Sequence, residues 1–375
     1  MSASIEIINC SSGLASIADQ WNALADRFKT PLLRYEWFSA SAQAFCPPGK
    51  LSVAIARSGS EIVAIAPLVF NPTFGIKRLE LLGTSVLGEP SGFLYKDKES
   101  LLDLLHNCLS YRKPVFFRGL SSDSQEFEYL KNESNHRFRY TKIDSFASPW
   151  IPIETGWDEY YATISADRRS TFRRMEKRAK QLGEIKYEII APKPEELSTL
   201  LPEVFQIEMA SWKSRVGTAL QTHALLGNFF SLYSKDMAKL GMLRIAFLKI
   251  GGKAVAAQLL VEYANRLWVF KIGYDEAYSR CSPGSLLMNE VIHYAFDKKL
   301  EAFEMLGTNQ AWLNVWPNKL HEYQNYRLYP IAPGALFSHG MELGNYVVRK
   351  IRTILAKKRK PSAVATAQGS SNENN

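Results

Sequence analysis

Cysteine is scarce in this chain and scattered. Cys10, Cys46, Cys108 and Cys281 share no paired spacing, which argues against a disulfide framework or a zinc cluster and fits a reducing compartment. The six histidines are dispersed without metal-ligand spacing, and no Walker A loop, G-x-S-x-G elbow or H-E-x-x-H occurs. Hydrolase and metalloenzyme chemistry therefore find no support, and no metal is expected. Long apolar runs are missing too: no segment approaches the roughly 18 residues of a membrane span. The opening Met1–Glu6 has neither a cationic stretch nor an apolar run, so the expectation is a cytoplasmic protein, neither secreted nor membrane-spanning.

What is present is an ordinary globular composition, 46% hydrophobic and 22% charged over 375 residues, a length that normally divides into about two domains. Basic charge is concentrated. Arg349, Lys350, Arg352, Lys357, Lys358, Arg359 and Lys360 account for seven of the net +9, so without them the chain would carry +2. A second block, Arg168, Arg169, Arg173, Arg174, Lys177, Arg178 and Lys180, is offset by Glu176 alone. These are the places for anionic partners.

An internal repeat organises the chain. Leu51–Phe70 aligns without gaps on Leu243–Glu262, each reading as strand, glycine turn and strand, with Ser58-Gly59 and Gly251-Gly252 at the turns. In the first copy an apolar strand (Leu79–Leu82), a glycine-rich loop, a helix with Leu101, Leu102, Leu104, Leu105 and Leu109, and a strand at Pro114–Leu120 follow. The second copy repeats the order with Leu267–Ile272, the Ser282-Pro283-Gly284 loop, a helix through Leu286, Val291 and Phe296, and a strand at Ala302–Leu306. Trp21–Phe45 and Glu203–Leu240 read as the helices preceding each hairpin. The expected domains are 1–150 and 151–335, followed at 336–375 by a basic amphipathic helix, from Asn345 to Lys360, and a tail too polar to order itself.

In this order the motifs resemble the GNAT-like acyltransferases of the CelD type, related to the FemAB peptidyltransferases. The resemblance spans most of the chain. It rests on Trp21, Pro31 and Tyr35-Glu36-Trp37-Phe38; Arg168–Arg178 followed by Leu182-Gly183; Trp212-Lys213 ahead of Gly217; Gly241-Met242-Leu243-Arg244; Tyr274-Asp275 with Tyr278; Ser282–Leu287; and Phe303-Glu304 ahead of Gly307. It implies an α/β (α+β) tandem pair of GNAT-like domains, each a mixed, mostly antiparallel sheet flanked by helices. The chain departs from the family in two respects. Gly307 is followed by Trp312-Leu313 rather than a Tyr-Lys pair, and Glu304 stands where an Asp is expected.

The segment Arg280–Ser285, between a strand and a helix, offers backbone N–H groups at the positive end of a helix dipole, an anion cradle. Arg280, Ser282, Gly284 and Ser285 are the candidates for holding the phosphates of acyl-CoA or of an acyl-carrier protein's pantetheine arm. The resemblance implies that the central strands splay, so that pantetheine pairs with the open edge of Trp268–Tyr274. Glu304 and Asp275 are the candidate bases, Tyr274 or Tyr278 serves the departing thiolate, and Lys271 binds an anionic acceptor or replaces the missing lysine. Arg169, Arg173 and Trp212 are candidates for binding the acceptor, an amine on a small molecule, sugar or lipid precursor. In the first copy Glu89 would repel a phosphate, so a single donor site in the second copy is expected. Two further readings stay open: a FemAB-like enzyme drawing on aminoacyl-tRNA, although nucleic acid is not the primary expectation, and a non-catalytic accessory protein of polysaccharide assembly. The C-terminal helix is expected to touch an anionic membrane surface.

Overall fold

The computed structural model describes residues 4–73, 76–133, 138–211 and 224–358. Strands β1 (Ser4–Ile8), β2 (Val53–Ser58), β3 (Glu61–Ala66), β4 (Leu68–Thr73), β5 (Ile76–Leu81), β6 (Leu94–Tyr95), β7 (Val115–Ser121) and β8 (Phe138–Pro152) come from the first part of the chain. The second part supplies β9 (Ile185–Ile190), β10 (Leu243–Ile250), β11 (Lys253–Tyr263), β12 (Arg266–Tyr274), β13 (Ala302–Glu304) and β14 (Lys319–Pro330).

The repeated hairpins are β2–β3 and β10–β11, antiparallel and closed by two-residue turns that pair Ser58 with Glu61 and Ile250 with Lys253. Gly59, Gly251 and Gly252 have φ of 61°, 58° and 82°, the left-handed region that such turns require. Pro67 breaks the ladder between β3 and β4, because proline cannot donate to it. The chain thereby passes from a four-stranded sheet, β1-β2-β3-β6, into a ten-stranded one, β4-β5-β7-β14-β8-β13-β12-β11-β10-β9.

That long sheet has an approximate two-fold plan. Parallel β5 and β7 on one side match parallel β12 and β13 on the other. The strands between them are exchanged: β8, which follows β7 in the chain, pairs with β13, while β14, which follows β13, pairs with β7. The two exchanged strands pair with each other along Phe138–Pro152 and Lys319–Pro330. The sheet thus runs unbroken from one half to the other. The two halves share one plan, each a mixed sheet flanked by helices.

Helices complete the core. The helix Lys98–Ser110 begins with a capping box in which Asp97 accepts from the Ser100 N–H, and its leucines cover β2, β3 and β7. Tyr35–Phe45 and Ala224–Lys239 pack against each other across the halves, with Trp37 edge-on to Phe229 and Tyr233. Pro283–Asp297 buries Leu287, Val291, Ile292 and Ala295 on the opposite face of the second half's strands. The C-terminal helix runs over Pro333–Lys358, starting at Pro333 rather than at Asn345. Its first turns are held by Glu342, which accepts from Arg78, Arg327 and the Tyr329 hydroxyl, contacts that hydropathy along the helix does not reveal.

Candidate functional site

β12 and β13 pair over three residues only, Arg266–Trp268 with Ala302–Glu304. Beyond Glu304 the chain follows β8 instead: the Met305 N–H bonds Pro149 O and the Asn309 N–H bonds Ala147 O. β12 continues to Tyr274 in the other direction, with β11 as its one partner strand there among the described residues. The divergence opens a cleft of about 480 Å3, lined by Val269–Tyr274 on one wall, Met305–Thr308 on the other, and Ser282, Gly284 and Ser285 at one end. This size lies within the range of small-molecule sites.

Within the cleft β12 carries a bulge. Leu259 faces Lys271 and Leu260 faces Val269, so Phe270 is the extra residue. A bulge leaves its extra peptide outside the ladder and re-aims the neighbouring side chains. Phe270 packs on Trp37, and Lys271 lies with its ammonium 4.8 Å from the Phe230 ring centroid. A strand that leaves its parallel neighbour beside a cleft, with a bulge in its ladder, gives an extended small molecule a wall to lie along.

The opposite wall turns at Leu306 and Gly307, whose φ values are 53° and 60°. Leu306 pays for a left-handed conformation that non-glycine residues avoid, a strain common at functional sites. The turn is fixed from two sides, since Ser148 Oγ donates to Gly307 O at 2.5 Å and the Gly307 N–H donates to Glu89 Oε2 at 3.1 Å.

Glu89 comes from the first half, from the loop Gly88–Gly92, and lines the cleft. Removal from water pushes its carboxyl pKa up, against the Gly307 N–H and the positive charges of Lys271 and Arg118. The result is a carboxyl group with raised proton affinity at the point where the strands part.

Of the residues singled out from the sequence, Lys271, Tyr274, Ser282, Gly284 and Ser285 line this cleft together. Gly284 lies under the Tyr274 ring, where a Cβ would come within 3.2 Å of Cδ1. Arg280 is exposed beside the cradle, its carbonyl accepting from Arg178 Nη1 at 3.3 Å. This contact brings the basic helix Ala166–Lys180 close to the Ser282–Ser285 end of the cleft, with Arg173, Arg174, Lys177 and Arg178 exposed. Arg169 turns back to bond the carbonyls of Ala162 and Ile164. Asp275 sits outside the cleft lining, capping the Ala277 N–H and pairing with Lys253 at 2.9 Å. Burial raises its pKa, but Lys253 and the Ala277 N–H outweigh that and leave it lowered. Trp212 lies outside the described residues.

Glu304 faces away from the cleft. It is 2% exposed and accepts from Arg266 at 2.8 Å and His321 at 3.2 Å, in a second cavity of about 360 Å3 shared by both halves. Sequence reasoning missed the reach of Glu89 into the cleft and this second cavity. No local pattern signals either, because both depend on where the strand exchange carries the first half's loop.

Among the described residues no group of His, Cys, Asp and Glu is placed to hold a metal ion, and no helix is long and apolar enough to cross a membrane.

Residues 166–313 match the sequence profile of the acetyltransferase (GNAT) domain family. No curated protein matches the sequence. Among solved structures, FemX is similar with a TM-score of 0.57 at 13% identity, over 88% of this chain and 97% of that one. The C-terminal domain of an Agrobacterium fabrum protein described as a lysylphosphatidylglycerol synthetase gives 0.54 at 13% identity, over 86% and 94%. L-PGS from Bacillus licheniformis gives 0.50 at 15% identity, over 86% and 92%. At such identities the likeness is one of fold.

Proposed function

We propose that the protein transfers an acyl group from a thioester donor, acyl-CoA or acyl-carrier protein, to an amine, with the donor in the cleft between β12 and β13. The observation that carries this is the cleft between the diverging strands β12 and β13, with the Phe270 bulge in one wall and Ser282, Gly284 and Ser285 in its lining. The pantetheine arm lies along β12, phosphate meets the N-terminus of Pro283–Asp297, and the thioester carbonyl lies at the bulge. Glu89 takes the proton of the attacking ammonium. As the C–N bond forms and the C–S bond breaks, the nitrogen gives up its second proton, which reaches the departing thiolate through Tyr274 or water. The Gly307 N–H, and after it Lys271, favour the charged form of Glu89 against the burial that raises its proton affinity.

One observation favours a second reading. The exposed cations of Ala166–Lys180 adjoin the cradle, which suits a polyanionic donor such as aminoacyl-tRNA, whose ester the same base would serve. Titration of the full chain with acyl-CoA, acyl-carrier protein and charged tRNA, each followed by mass spectrometry of an amine pool, separates them. Transfer from the thioesters with tRNA inert supports the first reading. Transfer from tRNA alone, with a steep fall in affinity as salt rises, replaces it with the second. No transfer from any donor supports an accessory role in envelope or polysaccharide assembly, the setting that the CelD-type resemblance suggests.

The C-terminal helix extends this reading to location. Phe337, Met341, Val347, Val348 and Ile351 are exposed along it, in a segment whose sequence carries the seven clustered cations. Apolar and cationic residues on one helix suit an anionic bilayer surface, at about 1 kcal/mol per basic residue near the surface. Removing residues 346–375 is expected to abolish sedimentation with phosphatidylglycerol vesicles and leave transfer between soluble substrates intact. Unchanged sedimentation refutes the membrane role.

A further inference from the structure

The second cavity lies on the other side of the Gly88–Gly92 loop from the cleft. Pro90–Phe93, Ser121, Ser124 and Glu126 from the first half face Arg266, Trp268 and Glu304, with His321 and Tyr323 of the exchanged strand β14. Its two carboxylates differ. Glu304 has Arg266 and His321 as partners. Glu126 is 5% exposed and accepts from the Tyr95 hydroxyl at 3.2 Å, while no Lys, Arg or His forms an ion pair with it among the described residues. Burial raises its pKa. A carboxylate held out of water without a cation costs free energy that an incoming ammonium would recover.

Two more polar groups in the lining lack partners among the described residues: Ser91 Oγ, on a residue 9% exposed, and Arg266 Nε, whose Nη1 is engaged by Glu304. At the mouth stand the exposed Arg27 and Lys29. A plain anion would meet two carboxylates inside. A plain cation would leave Arg266 Nε and the cationic mouth unanswered. A cavity of about 360 Å3 is at the small end of ligand sites and too small for a polymer.

We propose that this cavity binds a small zwitterion, its ammonium on Glu126 and its anionic group, a carboxylate or a phosphate, toward Arg266, Ser91 and the Arg27–Lys29 mouth. Naming this zwitterion as the acyl acceptor rests on the transfer reading above; its binding does not. The same loop serves both chambers, with Glu89 in the cleft and Ser91 and Gly92 in the cavity.

Calorimetry on the full chain tests this with amino acids (lysine, ornithine, serine) and glucosamine 6-phosphate. Each is paired with its N-acetyl form and with its amide or dephosphorylated form. At least one zwitterion is expected to bind, and loss of either charge to weaken it tenfold or more. Glu126→Gln should lower that affinity at least tenfold and leave affinity for acyl-CoA unchanged. Gly92→Ala, whose Cβ would stand 3.2 Å from Glu126 Oε1, should act in the same direction, with thermal melts confirming that both variants fold. No binding by any zwitterion overturns the proposal, as does equal binding of an N-acetyl form or wild-type affinity in folded Glu126→Gln. Binding without acylation of the bound zwitterion, in a protein that turns over acyl-CoA with other amines, refutes only its identity as acceptor. Binding together with failure of every donor refutes the transfer reading and leaves the site.

Discussion

The two halves begin with the same divergence of parallel strands and use it in opposite ways. In the second half β13 departs along β8 and the gap stays open, with the cradle at its end. In the first half β5 and β7 pair only at Leu79–Val115 and Glu80–Phe116, and the chain folds back into the gap, where the Ser91 N–H bonds Gly119 O. Gly119, at φ 76°, permits this: a Cβ would lie 3.0 Å from Pro90 Cα and 3.2 Å from Glu89 O. The two halves therefore share a frame, but in the first the loop fills the gap as a wall, and that wall carries Glu89 into the lining of the other half's cleft.

The sharpest way to break this comparison is Glu89→Gln. Loss of a general base is expected to lower kcat by about 10²–10⁴-fold, with KM for the donor nearly unchanged. Because burial raises the Glu89 pKa, wild-type rate should climb with pH above the ordinary carboxylate range as the base deprotonates, and that limb should vanish in the variant. An unaltered rate and profile would return the first half to a purely structural part.

A smaller effect separates the glycines at matching places in the two loops. Gly284→Gln is expected to lower donor affinity at least tenfold by obstructing backbone approach beside Tyr274, and Gly92→Gln to leave it unchanged. Calorimetry that finds two donors per chain, or the reverse sensitivity, would erase the asymmetry.

The smallest effect concerns stability. For Glu126 the folded pKa is raised, so between the unfolded value, about 4.3, and the folded one the native state binds more protons. Stability contributed by the neutral form is then lost as pH rises through that window. Glu126→Gln should flatten this dependence and raise Tm above the window. Parallel melting curves for both proteins from pH 4 to 8 would refute it.

Much of the scaffold was legible from residues close in sequence. Glycine turns fix the hairpins, apolar spacing fixes Lys98–Ser110 and Pro283–Asp297, and Ser282-Pro283-Gly284 marks the start of the latter helix. Glu304 was placed on the right strand, but which face it shows depends on the register of a three-residue pairing with β12, and that register puts it opposite Trp268, toward the second cavity. Glu89 and the exchange of β8 with β14 had no local signature, because each is defined by partners roughly two hundred positions away in the chain.

The exchange of strands has a consequence for how the chain is made. β7 finishes at Ser121, but its neighbour β14 begins at Lys319. At roughly 5–20 residues per second, a ribosome needs about 10–40 s to supply it. Throughout that interval the nascent first half exposes an unsatisfied sheet edge, so newly made chains should be vulnerable to aggregation and favoured clients of ribosome-associated chaperones. A stop codon after residue 150 would make that transient permanent.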